Sequence, residues 1–274
     1  MLQKVNYHTH SHYCDGKGAL EDYVTEAINN NFSALGFSGH APLPFDNNFS
    51  IRRDDFADYC AEINLLKEKY AGKIKILLGL EIDYIPGIFE DFSGLMTAGN
   101  LDYCIGSVHL VNNDKGSKLW MIDGSRVEIY DNGLADVFGG DIKKGVTAFY
   151  QQTIDMIRTQ SPTIIGHLNK IEMNNKNRYF HADEPWYVAL VDKTLEEVAL
   201  SGCICEINTR GIYKKRYDDF YPSKSILLKM NELDIPVVVS SDAHQPSETG
   251  LQLEEAYRFL DSIHYRNVKT WLFK

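Results

Sequence analysis

Six histidines of this chain lie at or just past the end of an apolar, strand-like run, and three acidic residues recur in the same places. They are His8, His10, His40, His109, His167 and His244, with Asp15, Glu81 and Asp242. Imidazole and carboxylate groups together are the ligands that divalent transition metals select. Because a bound metal ion can activate water for attack on a substrate, these residues predict a metal-dependent hydrolase.

Two pairs of these residues have the spacing of neighbours on one side of a strand. His8 and His10 form HTH, and Asp242 and His244 form DAH after the apolar run IPVVVSS. Side chains at positions i and i+2 point to the same side of a strand, so each pair can reach one ion. Capping of a helix is the alternative role for Asp242, but Pro246 delays the next helix, which favours the ligand.

Glu81 follows the apolar run KIKILLGL directly. Its carboxylate would be costly to bury without a partner. A pair of metal ions would supply its partner, so we expect Glu81 to bridge two ions. Asp83 shares its direction, and we expect it to support a ligand or to contact a loop. Asp15 lies in an Asp-Gly turn dipeptide, which is compatible with a ligand as well as with a turn.

Strand-like and helix-like segments alternate along the whole chain and would position these residues. The predicted strands are 5–8, 34–38, 73–82, 101–110, 162–168, 203–208 and 235–244. The predicted helices are 19–31, 53–70, 89–97, 146–159, 185–200, 224–233 and 253–263. The strands are nearly continuous apolar runs, which is typical of a parallel sheet covered on both faces. In a barrel of such βα units, the carboxyl ends of the strands meet at one face.

The segment 111–144 is irregular and rich in Gly and Asp. Because long loops are uncommon and often functional, it is a candidate lid or substrate loop. The alternative is a helix or hairpin that the pattern does not show.

Composition limits the remaining functions. The 274 residues predict a single domain, 1–274, and no apolar run approaches the roughly 18 residues that span a membrane. The N-terminus lacks the apolar core of a signal peptide, and five cysteines without a CxxC pair favour a reducing cytoplasm. The net charge is −10, and the short basic segment 214–216 is too small to form a nucleic-acid-binding surface. We therefore expect neither nucleic acid nor membrane as a partner.

The motifs HTHSHYCDG, GFSGHAP, GLEIDY, DYCIGSVH, IIGHL, EINTRG and SSDAH occur in this order. Together they resemble the PHP family, named for polymerase and histidinol phosphatase, over essentially the whole chain. SGHAP, GLEIDY and IGSVH are most similar to the histidinol-phosphatase branch. One departure is Asn169, where histidinol phosphatases often carry an aspartate.

The resemblance implies an α/β fold, a distorted (β/α)7 TIM-like barrel, with three divalent ions that are Zn, Mn or Fe. It implies one ion at His8, His10, Glu81 and Asp242, a second at Glu81, His109 and His167, and a third at Asp15, His40 and His244. Metal identity and oligomeric state are not predicted.

The resemblance also implies hydrolysis of a small phosphomonoester, which we expect to be L-histidinol phosphate of histidine biosynthesis. Arg210, at the end of the sixth predicted strand, is a candidate fork for phosphate, and Arg178 and Lys214 are candidates of the same kind. Glu206 is a further residue expected to face the pocket. His12 or a metal-bound water is the candidate acid that protonates the leaving group. The predicted catalytic residues are Asp15, Glu81, Arg210 and His12.

Three alternatives stay open at this stage. The substrate could be a nucleotide or a sugar phosphate, it could be a phosphotyrosine protein bound in an open cleft, or the chain could be a metal-binding scaffold without turnover. Retention of all nine predicted ligands favours an enzyme.

Overall fold

The computed structural model of the chain describes residues 3–113 and 118–272. Its β-strands are, in chain order, β1 (Val5–Asn6), β2 (Ala34–Phe37), β3 (Lys75–Asp83), β4 (Tyr103–Ser107), β5 (Leu110–Asn112), β6 (Leu119–Met121), β7 (Ile164–Ile165), β8 (Ile204–Asn208) and β9 (Val237–Ser240). Its α-helices are α1 (Leu20–Asn29), α2 (Phe56–Lys69), α3 (Phe92–Gly99), α4 (Val127–Phe138), α5 (Ile142–Gln160), α6 (Glu172–Asn175), α7 (Pro185–Ser201), α8 (Arg210–Tyr213), α9 (Lys224–Glu232) and α10 (Leu253–Ser262). Every predicted strand and helix overlaps one of these elements.

Seven strands form one sheet in the order β1, β2, β3, β4, β7, β8, β9, and all neighbours run parallel. Its two end strands approach each other, because a parallel bridge pairs Thr9 with Ala243. The N–H of His10 donates to the carbonyl of Ala243 at 2.8 Å, and the N–H of Ala243 donates to the carbonyl of His8 at 3.1 Å. The sheet is therefore nearly closed, which confirms the predicted distorted (β/α)7 barrel.

The strands are apolar throughout because they are covered on both faces. All residues of β3 after Lys75 are buried, and so are all four residues of β9. Helices cover the outer face of the sheet. In the interior, Tyr103 packs with Tyr7 and donates its hydroxyl to the Tyr7 carbonyl at 2.5 Å. A Cβ atom at Gly79 would lie 2.5 Å from the Tyr103 ring, so this close approach requires glycine.

Most of the described part of the segment 111–144 is regular, and residues 114–117 lie outside the described residues. β5 pairs antiparallel with β6, and α4 follows. The expectation of an irregular segment is therefore wrong, and the alternative of an unrecognised hairpin or helix is closer. The sequence does not show these elements plainly because β5 and β6 have only three residues each and because α4 contains Gly133, against which Trp120 packs. No helix in the described ranges is long and apolar enough to cross a membrane.

Candidate metal centre

The nine predicted ligands converge at the carboxyl ends of the parallel strands. His8 and His10 follow β1, His40 follows β2, Glu81 lies near the end of β3, His109 follows β4, His167 follows β7, Asp242 and His244 follow β9, and Asp15 lies in the loop before α1. Two parallel bridges bring these chain segments side by side. One pairs His40 with Glu81, and the other pairs Thr9 with Ala243. Residues more than 230 positions apart therefore face one space.

Glu81 lies at the middle of the cluster, and its Oε2 faces three imidazoles. This oxygen lies 3.2 Å from His8 Nε2, 3.4 Å from His10 Nε2 and 3.2 Å from His40 Nδ1. These three nitrogens are buried and have no hydrogen-bond partner among the described residues. Since buried polar atoms are nearly always paired, three unpartnered nitrogens around one carboxylate oxygen fit ligands to metal ions.

The other oxygen of Glu81 faces a second pair of imidazoles. Oε1 lies 2.9 Å from His167 Nε2 and 3.5 Å from His109 Nε2, and the two Nε2 atoms are 3.1 Å apart. Ser107 donates its hydroxyl to the same oxygen at 2.6 Å. The geometry suits a carboxylate that contacts one ion with each oxygen, which is the bridging role predicted for Glu81.

Asp242 and Asp15 face the remaining histidines. Asp242 Oδ1 lies 3.5 Å from His10 Nε2 and 3.3 Å from His244 Nδ1. Asp15 Oδ2 lies 3.3 Å from His244 Nε2, and its Oδ1 lies 3.8 Å from His40 Nε2. Asp242 holds a left-handed backbone conformation with φ of 53°, which aspartate adopts more readily than most residues.

Four sets of donor atoms, each within 4.8 Å of one another, form groups that could hold an ion: His8, His10 and Asp242; Glu81, His109 and His167; His10, Asp15, His40 and His244; and His40, Asp83 and His109. The donors are imidazoles and carboxylates, which suit Zn, Mn and Fe. The residues present thus fit the binding of divalent metal ions.

Two further carboxylates orient the histidines from behind. The Nδ1–H of His8 donates to Glu206 at 2.6 Å, and that of His109 donates to Asp83 at 2.9 Å. Each contact directs the Nε2 of its histidine toward Glu81, as outer carboxylates do at many metal sites. Burial disfavours a charged His8, but Glu206 and the other nearby carboxylates outweigh it and raise the pKa of this imidazole.

Six of the nine predicted ligands line a cavity of about 500 Å³, namely Asp15, His40, Glu81, His109, Asp242 and His244. Its walls carry cationic side chains, namely Lys17, Lys170, Arg210, Lys214 and Arg216. They also carry apolar side chains, namely Phe49, Met121, Ile129, Met173 and Tyr221. A concave site of this size, with mixed walls, suits a small organic anion.

The predicted phosphate-binding residues have different positions. Arg210 lines the cavity, and its Nη1 donates to the carbonyl of Asp242 at 2.7 Å. Lys214 also lines the cavity but is ion-paired with the buried Glu248. Arg178 is outside the residues that line the cavity, and its two terminal nitrogens each bind Asp131 at 2.8 Å. The structure therefore does not bring Arg178 into the site.

His12 is also absent from the cavity lining. It is exposed, and its Nδ1 lies 3.3 Å from the carbonyl of Gly18. The chain turns over residues 12–15, so His12 does not continue the extended segment that carries His8 and His10. The structure therefore gives no support to His12 as the acid for the leaving group.

Two cavity residues had no signal in the sequence strong enough to find them. Asp123, from the segment 111–144, lies 3.8 Å from His109 Nε2. Lys170 lies three residues after His167 and is buried beside Asp242. Only the position of Lys170 just after a strand end was available as a clue. Asn169, the departure from histidinol phosphatases, is buried and donates to Glu172 at 3.0 Å.

Comparisons with known proteins identify several relatives of this chain. The probable histidinol-phosphatase of Schizosaccharomyces pombe is 29% identical over 273 residues, covering 94% of this chain and 86% of that protein. The histidinol-phosphatase of Bacillus subtilis is 27% identical over 265 residues, covering 92% of this chain and 98% of that protein.

Among solved structures, the histidinol phosphate phosphatase of Lactococcus lactis, complexed with zinc, L-histidinol and phosphate, has the same fold with a TM-score of 0.69. It is 21% identical, and the match covers 98% of this chain and 96% of that chain. The family model of the PHP domain matches residues 6–210. This match spans well over half of the sequence, so the chain belongs to the PHP domain family.

Proposed function

We propose that this protein is a metal-dependent phosphatase that hydrolyses L-histidinol phosphate to L-histidinol and phosphate. Its relatives in Schizosaccharomyces pombe and Bacillus subtilis, which match over more than nine tenths of this chain, carry the name histidinol-phosphatase. The Lactococcus lactis neighbour binds zinc together with both products of that reaction.

The observation that carries the proposal is the position of Glu81. One buried carboxylate contacts five imidazoles at the floor of a cavity with cationic walls. A non-catalytic scaffold needs no open cavity of this kind above its ligands. The cavity is instead the feature expected of a site that admits a small phosphorylated substrate.

We further propose that the site binds three divalent ions. Their ligands would be the three sets of residues that the resemblance to the PHP family implies. Three divalent ions and three carboxylates would leave a net charge of about +3, which attracts a phosphate dianion despite the acidic chain. Bound ions of this type supply an activated water and neutralise charge on the phosphoryl group.

The protein's own residues bind and orient the substrate. Arg210 presents a guanidinium to the phosphoryl oxygens, and its Nη1 contact with the Asp242 carbonyl holds it in position. The apolar wall that includes Phe49 and Met121 packs against the organic part of the substrate. Glu206 and Asp83 keep His8 and His109 in the tautomer that directs Nε2 into the site.

We also propose that residues 1–274 act as a single domain, since the cavity takes its lining from Asp15 through Glu248. Nucleic acid remains an unsuitable partner for a chain with a net charge of −10.

The test is a metal analysis combined with a substrate panel. The purified protein is loaded separately with Zn, Mn and Fe and is assayed with histidinol phosphate, nucleotides, sugar phosphates and a phosphotyrosine peptide. We expect the highest kcat/KM for histidinol phosphate. If histidinol phosphate is cleaved no faster than the other esters, the specific substrate is wrong. If no ester is cleaved with any of the three metals, the phosphatase proposal itself is wrong.

A further inference from the structure

The buried ammonium group of Lys170 faces the cavity beside the candidate metal centre. The side chain is 6% exposed and lines the cavity. The backbone N–H of Lys170 donates to the carbonyl of His167 at 2.9 Å, so its position follows that of a predicted metal ligand. Burying a charged group is costly unless hydrogen bonds compensate for the lost water, so the contacts of this ammonium decide its role.

The contacts of Lys170 within the protein are incomplete. Its Nζ lies 3.7 Å from Asp242 Oδ2 and 3.8 Å from Asp123 Oδ2. Charge-assisted hydrogen bonds are about 2.7–2.9 Å long, so neither contact is one. No hydrogen bond from this Nζ is present in the described parts of the chain, although an ammonium has three N–H donors. The donors are therefore available to an oxygen atom that enters the cavity.

Aromatic side chains hold Lys170 in this place. The Nζ lies 5.4 Å from the centre of the Tyr221 ring, within the range of a cation–π contact. Tyr221 stacks on Tyr217 with ring centres 4.9 Å apart, and Tyr217 donates its hydroxyl to the buried Glu172. This chain of contacts limits the freedom of the lysine, so an anion bound there meets a preorganised charge.

The neighbours of Lys170 indicate what it binds. Asp242 belongs to the donor set with His8 and His10, and Asp123 lies beside His109 of the Glu81 set. Lys170 therefore stands between two groups of metal donors. Lys214, also a cavity cation, is neutralised by Glu248, whereas Lys170 has no such close partner in the residues described.

We propose that Lys170 is a catalytic residue that donates a hydrogen bond to a phosphoryl oxygen of the substrate, in addition to Arg210. This inference rests on the proposed phosphatase function, because the occupant it requires is a phosphate ester. Without the ammonium, the phosphoryl group would lose one charge-assisted contact and the organic part of the substrate would lose none.

The experiment compares Lys170→Met and Lys170→Gln, which both remove the charge, with the wild type in the metal-loaded protein. Lys144→Met is the matched control, because Lys144 is exposed on α5 and pairs with Asp141. Orthophosphate and L-histidinol are titrated separately by calorimetry, and metal content is measured for each protein. We expect both Lys170 variants to bind orthophosphate about 10- to 100-fold more weakly, with L-histidinol affinity and metal content unchanged.

The KM for p-nitrophenyl phosphate should rise in parallel in the two Lys170 variants and stay unchanged in Lys144→Met. Wild-type affinity for orthophosphate in either folded Lys170 variant would overturn the inference. Equal weakening of orthophosphate and L-histidinol, or loss of metal, would also overturn it, because Lys170 would then support the site only structurally. If the wild type binds orthophosphate but cleaves no ester, the phosphatase function is wrong, and the binding comparison still decides the role of Lys170.

Discussion

Replacement of Glu81 by glutamine is the sharpest test of the metal centre. The substitution keeps the shape of the side chain and removes a carboxylate whose two oxygens lie 2.9–3.5 Å from five imidazole nitrogens. Two ions that share this carboxylate would both lose the attraction of its single negative charge. A pair of opposite unit charges about 4 Å apart interacts by about 4 kcal/mol at an effective dielectric constant of about 20, which also suits buried protein sites.

That free energy corresponds to about a 10³-fold loss of affinity for each of the two ions. We therefore expect Glu81→Gln to lose at least one ion per chain after dialysis against a zinc buffer that leaves the wild type fully loaded. Its kcat should fall by about 10³-fold or more, since the water and the phosphoryl group would lose their activating charge.

The assay is elemental analysis by mass spectrometry together with steady-state kinetics. Glu197→Gln is a matched control, because Glu197 pairs with Arg158 on the outer helices, away from the cavity. Wild-type metal content and affinity in Glu81→Gln would refute the bridging role. Loss of metal without loss of turnover would refute the link between the ions and catalysis.

Three other outcomes are expected. Arg210→Ala should weaken orthophosphate binding by about 10- to 100-fold with the metals retained, as measured by calorimetry, and unchanged binding would remove Arg210 from the site. Gly79→Ala should destabilise the fold by about 1–3 kcal/mol in urea unfolding, because the new Cβ would meet the Tyr103 ring at 2.5 Å. Removal of metal by a chelator should lower Tm by roughly 10 °C, and added zinc should restore it, since ions that bind only the folded state stabilise it. A Tm that does not respond to the chelator would contradict that expectation.

The barrel was predictable because its strands carry an unusually plain signal. Runs such as that of β3 are apolar without alternation, which only burial on both faces explains. Once parallel strands were inferred, the strand-end positions of the histidines implied that they converge. His8, Glu81 and Asp242 meet for that reason, although they are far apart in the sequence.

What could not be predicted depends on contacts between residues that are distant in sequence. Arg178 looks like a phosphate ligand until its pairing with Asp131, 47 residues away, is known. Asp123 belongs to a segment whose short strands and glycine-containing helix have no clear periodicity. Lys170 is a common surface residue type, and only the tertiary structure reveals that its ammonium is buried.

The seam at which β1 meets the end of β9 has a consequence for synthesis of the protein. HTH is residues 8–10, whereas Asp242 and His244 are synthesised more than 230 residues later. A nascent chain therefore lacks two of its three proposed ion sites until translation has passed residue 244. A truncated product that ends before β9 would keep the Glu81, His109 and His167 donors and yet be unable to assemble the full centre.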